Sequence, residues 1–321
     1  MSNKIKLLWT SEKMAVQSTS GGAFILIANA FLDNFDKSKV YGCVLDENNS
    51  VVHVSTSKKN ELQRMQGSKY VQSNINLCYS SVLNNLNNGI AVLFSGTACQ
   101  IKALKCFLGK EYELLYTMDI LCHGVPSPKF WKKYVEFLEK KYGGKISNIR
   151  FRNKSGTNRL GYVFMFECNG RSYRIYPNED LYYLAFLNGD SLRPSCYQCP
   201  FVGKNNFSDV TLGDSNNKKF HPTEAISLII VNSEKGKKML SWIEGKCEII
   251  ETYFEEECVE NKKLIEAVQM TEKRKYFYRD IFENGIDQSY PNISSSMKLR
   301  NRLMNMMPIA MKDYGKKIIN R

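Results

Sequence analysis

Cys196 and Cys199, spaced three apart in "RPSCYQCPF" (193–201), constrain the fold more than any other feature of the chain. The spacing lets both thiolates reach one metal centre. A four-ligand centre, however, needs two further donors that this segment does not contain. If the pair binds a metal, the chain must bring distant residues to it.

The 321 residues are enough for one large domain or two intimate ones with a substantial core. Ten cysteines are scattered along the chain, without the dense framework of a small disulfide-stapled domain, so reduced thiols or metal ligands are expected. Three histidines make a histidine-rich zinc site a poor fit. The formal charge of +13 is spread over short runs such as "SKKN", "KKY", "GKK" and "EKRK", usually beside acids. That pattern reads as a solvated lysine-rich surface, with an acidic partner or phosphate-bearing ligand as its other use; no nucleic-acid partner is expected. The longest apolar stretches, "GAFILIANAFL" and "IAVLF", fall short of the ~20 residues a span needs, and no basic-then-apolar leader opens the chain. A soluble, cytoplasmic protein without a membrane span is expected.

Strand-like runs alternate with helix-like segments: "KVYGCVL", "VVHVST", "IAVLF" and "ELLYTMDIL" carry β-branched or aromatic residues and end in polar or turn residues. After "VPSP", Ser127 as N-cap and Pro128 at the first helical position predict a helix whose Phe130, Trp131, Tyr134, Phe137 and Leu138 face a core. Asn169-Gly170 between "GYVFMFEC" and "RSYRIYP" predicts a type I′ hairpin turn. Strands "DVTLGD" and "ISLIIVN" follow, then a helix from "SEKGKKML", two helices beginning near Asn261 and Thr271, and a basic helical tail. The expected fold is α/β (α+β): a mixed central sheet flanked by helices, an antiparallel hairpin insertion and a C-terminal helical segment. Its two halves, 1–145 and 146–321, would form one intimate unit.

Several stretches could carry chemistry. "STSGGAF" sets hydroxyls and two glycines at the mouth of an apolar helix, which suits a phosphate cradle and equally an ordinary N-cap. "GSKYVQS" offers Lys69 as an anion binder and Tyr70 as a stacking ring, or is simply a loop entering a strand. In "FSGTACQ", Cys99 lies near a helix start that stabilises a thiolate, unless it is an inert buried thiol. "DILCHGVPSP" puts Cys122 directly after a strand, with His123 as a proton donor or a hydrogen-bonded turn residue. Cys99, Cys122, Cys196 and Cys199 all fall in turns or loops beside strands, whereas Cys106 sits inside a helix and Cys168 inside a strand. Four such ligands suit a tetrahedral zinc or an iron-sulfur cluster, and spacing leaves both open.

The ordered motifs "SGGAF", "GSKYVQS", "GTACQI", "CHGVPSPKFW", "LRPSCYQC" and "TLGD", continuing into "ISLIIVNSEKGKKML", cover nearly the whole chain. In them the chain resembles the coenzyme F420 hydrogenase/dehydrogenase beta subunit family. That family includes the beta subunit of F420-reducing hydrogenases, 7-hydroxymethyl chlorophyll a reductase, and bacterial relatives encoded among polysaccharide-biosynthesis genes. The resemblance implies a non-covalent FAD, one [4Fe-4S] cluster and an oxidoreductase. It makes Cys99, Cys122, Cys196 and Cys199 the cluster ligands. FAD would lie against Ser18, Ser20, Gly21 and Gly22, against Gly67, Ser68, Lys69 and Tyr70, and against the turn holding Gly96, Thr97 and Gln100. The first half, 1–145, becomes the FAD-binding half, and 146–321 carries the hairpin, the cluster loop and the C-terminal helices. His123, Lys69 and Arg193 are the candidate catalytic residues, the two cations facing reduced flavin or an anionic group of a small organic substrate, either F420-type or a glycan or sugar precursor.

Two departures stand out: Ala98 replaces a common proline, and "SNNKKF" replaces the usual continuation after "TLGD". The chain also begins directly at "LLWTSEKMAVQSTSGG", without the cysteine-rich ferredoxin-like segment many relatives carry, so a separate ferredoxin-like donor or acceptor is expected. The alternative from the residues alone is a non-catalytic protein with a structural four-cysteine zinc site and a basic partner-binding surface.

Overall fold

The computed structural model describes residues 4–10, 12–154, 162–202, 207–215, 220 and 224–289. The continuation 216–219 and the basic tail lie outside these residues.

Near-continuous apolar runs such as "AVLF" suit strands covered on both faces, and they build the parallel heart of the main sheet. The strands are β1 (Lys4–Trp9), β2 (Ser38–Leu45), β3 (Val51–Thr56), β4 (Ala91–Thr97), β5 (Leu115–Ile120), β6 (Ile146–Asn153), β7 (Val163–Cys168), β8 (Arg171–Ile175), β9 (Val210–Ser215), β10 (Ile226–Val231) and β11 (Glu248–Tyr253). Eight form one mixed sheet in the order β11-β1-β10-β9-β5-β4-β2-β3. Within it β2, β4, β5 and β9 run parallel, and the remaining pairs are antiparallel.

Helices cover both faces. Ala23–Asn34 and Glu234–Ser241 pack with Leu8, Val40, Leu93 and Ile229 on one side. Cys78–Asn87 and Ala98–Leu108 pack with Tyr41, Val92, Phe94 and Leu115 on the other. Asp209 stitches the sheet internally, accepting from the Thr117 amide and hydroxyl at 2.8 Å each and from Ser233 at 2.6 Å.

The connection from β5 to β9 carries the second unit. Its helix Pro128–Tyr142 is capped by the Ser127 hydroxyl, which accepts from the Phe130 amide at 3.2 Å, and ends at Gly143. The expected hairpin is present with Asn169 and Gly170 both at positive φ, and β6 extends it to a three-stranded antiparallel sheet. Alternate residues Phe164, Phe166 and Cys168 of β7 face an aromatic core with Trp131, Tyr134, Phe151 and Tyr182. Toward the C-terminus, the two expected helices differ in detail. A helix at Phe254–Glu260 precedes a single 3-10 turn, Lys262–Leu264, and the next α-helix is Arg274–Asn284, whose Phe277 and Ile281 seal the aromatic core. No helix among the described residues is long and apolar enough to cross a membrane.

Gly21 lies against the sheet so closely that a Cβ there would overlap the Leu8 carbonyl and the Ser227 amide. Gly21→Ala is expected to lose about 1–3 kcal/mol of unfolding free energy, read by denaturant titration, because the obstructing atoms are backbone and cannot move aside cheaply.

Candidate functional site

Parallel strands present their carboxyl ends on one edge, where open α/β sheets place their ligands. Two of the cysteines leave that edge directly: Cys99 two residues beyond β4 and Cys122 two beyond β5. A capping box between Thr97 and Gln100 starts the helix that carries Cys99, and the Thr97 hydroxyl lies 3.1 Å from the Cys99 sulfur. The CxxC segment is brought to Cys122 by backbone pairing. Pro126 bridges Leu192, and the Arg193 amide donates to the Val125 carbonyl at 3.0 Å. Gly124, at φ 109°, sits where a Cβ would be 2.7 Å from Leu192 Cδ1 and 3.1 Å from Cys196 Cβ, so a side chain there would push the two loops apart.

The four thiols feel one another. Burial pushes the Cys122 thiol up to about 12, with Cys196, Cys99 and Cys199 adding to the rise. Cys199 is raised by burial and then by Cys99 and Cys196. Thiolates so placed repel one another until a cationic centre joins them. Among the described residues no group of three His, Cys, Asp or Glu side chains is closed up around a single ion. The Gly124 amide lies 3.4 Å from the Cys122 sulfur, a contact that favours negative charge on it. The helix Arg274–Asn284 buttresses the CxxC side, where Arg274 Nε donates to the Leu192 carbonyl at 2.9 Å and Tyr278 to that of Ser191 at 2.6 Å.

The first two loops expected to face a flavin also meet. The Ser68 amide donates to the Thr19 hydroxyl at 2.8 Å, and Gln66 donates to the Ser18 hydroxyl at 2.6 Å. Ser20 bonds Asp214, at the end of β9. Gly22, the residue before the helix Ala23–Asn34, supplies no side-chain cap, and the Ala23 amide instead lies 3.4 Å from the Ser227 hydroxyl of β10. The turn Gly96–Gln100 belongs to the cysteine side, with Gln100 bonded to Ser73 at 2.9 Å and its carbonyl to Tyr79 at 2.9 Å.

The three expected catalytic residues have separate settings. Lys69 Nζ donates to the carbonyls of Arg64, Met65, Gln66 and Gly67 at 3.0–3.2 Å, closing the helix Leu62–Met65. In the structure its ammonium closes the end of that helix. Arg193 is exposed beside Cys99 on a cleft of about 1450 Å³ that runs to Trp131 and Lys145. His123 packs edge-on to Phe186 at 5.1 Å, and Phe186 stacks on Tyr70 at 4.5 Å. Phe186 thereby joins the cysteine loop to the Gly67–Tyr70 loop, a role nothing in its local sequence signals.

Reading by motif also missed Arg152, Lys154 and Asp119. Arg152 pairs with Asp214, and Lys154 Nζ donates to the carbonyls of Ala15 at 3.1 Å and Ser20 at 2.8 Å. The same-face i, i+2 spacing of the two cations at the end of "NIRFRNK" is the signal that could have found them. Asp119 is buried near the end of β5, three residues before Cys122.

Fold and thiol constellation define an α/β protein whose ligand-binding edge gathers four cysteines from three separate stretches. The family model that describes the C terminus of the coenzyme F420 hydrogenase/dehydrogenase beta subunit matches residues 90–256. The chain belongs to the coenzyme F420 hydrogenase/dehydrogenase beta subunit family, a family of oxidoreductases. No curated protein matches it. Among solved structures, a chain of the F420-reducing [NiFe] hydrogenase complex from Methanosarcina barkeri, from a study of its xenon derivatization, is similar at a TM-score of 0.52 and 14% identity, over 91% of this chain and 96% of that one. At that identity the likeness is one of fold.

Burial raises the Asp119 carboxyl from 3.8 to about 6, against bonds to Thr211 and Ser208. With the folded value above the unfolded one, the folded state holds more protons between about pH 4 and 6, so stability falls as pH rises through that window. Asp119→Asn is expected to be more stable than the parent by up to about 3 kcal/mol above pH 6 and to show no gain below pH 4, as read by denaturant midpoints across pH.

Proposed function

We propose that this protein is an iron-sulfur flavoprotein oxidoreductase. In this reading a ferredoxin-like carrier exchanges electrons with a [4Fe-4S] cluster on Cys99, Cys122, Cys196 and Cys199, and FAD lies against the Ser18–Gly22 and Gly67–Tyr70 loops. The convergence of those four cysteines beside the ends of β4 and β5 carries it. Bound together, a cluster supplies single electrons and a flavin supplies two-electron hydride chemistry.

The chain's own residues set the conditions. Cys122 is half-buried, and the Gly124 amide steadies negative charge on its sulfur. Tyr70 and Phe186 form a stacked aromatic wall that reaches His123 beside Cys122. His123, next to Cys122 and against Phe186, stands where a proton could be passed to a substrate at that wall. The substrate class this supports is a small organic molecule, F420-type or a glycan precursor.

Anaerobically purified protein is expected to show both flavin bands and a broad iron-sulfur shoulder. Cys196→Ser is expected to lower bound iron several-fold while leaving zinc content unchanged. A colourless protein carrying stoichiometric zinc would establish the structural-zinc alternative instead.

The surplus of lysine and arginine, +13 overall, favours an acidic electron carrier. Its rate of reducing the protein in stopped-flow is expected to drop by about tenfold or more from low to high ionic strength. A salt-independent rate would remove the electrostatic basis for that partner.

A further inference from the structure

Where the Ser18–Gly22 loop, the end of β6 and β9 meet, there is more positive charge than the bonded protein partners neutralise. Lys154 is 5% exposed, and the acceptors of its ammonium are two neutral carbonyls. Arg152 spends one terminal nitrogen on Asp214 and lies over the Tyr162 ring at 4.5 Å, yet its buried Nε has no hydrogen-bond partner among the described residues. Asp214 is the carboxylate bonded to Arg152, and it acts on Lys154 only through space, as Glu224 does more weakly.

Burial, with Arg152 alongside, pulls the Lys154 ammonium down to about 7, the behaviour of a cation short of counter-charge. Burial works against ionisation of Asp214 as well, but Arg152 beside it keeps its carboxyl below the usual range. The Asp214 side chain is 41% exposed, so the place where it meets Arg152 is open to a ligand. A buried guanidinium N–H without an acceptor and an ammonium without an anion are both costly, and an anionic ligand would satisfy both.

We infer that Arg152 and Lys154 form an anion-recognition site for a ligand group carrying a single negative charge, a phosphate or a carboxylate, with Asp214 holding the guanidinium in position. The identity of the ligand rests on the flavin reading above; the existence of the site does not. Two sources share this chemistry, a phosphate of the flavin nucleotide and an acidic group of the organic substrate.

The test is calorimetric titration of the purified full-length protein with inorganic phosphate, at mildly acidic pH where it is a monoanion, and separately with FAD and riboflavin. Lys154→Met keeps the Arg152–Asp214 pair and removes the surplus charge. Arg152→Lys keeps the charge and removes the Nε–H, so either variant can carry the test if the other fails to fold. Each is expected to weaken phosphate binding about tenfold or more. A parallel loss for FAD with riboflavin unchanged assigns the site to the flavin nucleotide. Unchanged FAD and riboflavin binding assigns it to the substrate. Phosphate binding that is absent in the wild type, or equal in wild type and folded variants, overturns the inference. Phosphate bound by the wild type and lost in the variants, with neither flavin bound by any of them, upholds the site and removes the flavin reading.

Discussion

The antiparallel bridge between Pro126 and Leu192, with the Arg193 amide bonded to the Val125 carbonyl, is the contact on which the site depends. It holds the segment after β5 against the segment before Cys196, so that thiols about seventy positions apart face each other. Everything near it supports that closure. Gly124 leaves room for the approach, Arg274 and Tyr278 tie down the Leu192 side, and Gln72 donates to the Pro126 carbonyl at 3.2 Å. A backbone bridge is a suitable device here, because it positions loops independently of the side chains left free for ligands.

The second structural theme is the insertion between β5 and β9. It is more than a decoration on the α/β sheet. Its aromatic core orients β6, whose end carries Arg152 and Lys154 back to the Ser18–Gly22 loop and to Asp214 of β9. Phe186 of the same unit reaches both Tyr70 and His123. The inserted unit therefore flanks the candidate site on one side while the parallel strand ends form the other, each with its own buried core.

Much of the fold was legible because its elements obey local rules. The Ser127–Pro128 helix start, the Asn169-Gly170 turn and the apolar runs of β2, β4, β5 and β10 all form where local chemistry predicts. The edge strand β11 was not legible, since Ile250 and Tyr253 stay largely exposed and its sequence lacks a buried pattern. Among site residues, Lys69 shows the limit of reading by charge. A lysine in a glycine-containing loop suggests an anion, and its charge alone does not show that the open carbonyls of the helix Leu62–Met65, a few residues earlier, also accept from the ammonium.

By itself the sequence determined the α/β class, the family resemblance and which cysteines sit in loops, because propensity, capping and motif spacing act over a few residues. Only the tertiary structure decided that β6 delivers two cations to the Ser18–Gly22 loop, that Asp214 sits between Ser20 and Arg152, and that Phe186 links Tyr70 to His123. Those contacts join residues from about sixty to nearly two hundred positions apart. Their existence depends on strand order and on where the insertion packs, which no local pattern encodes.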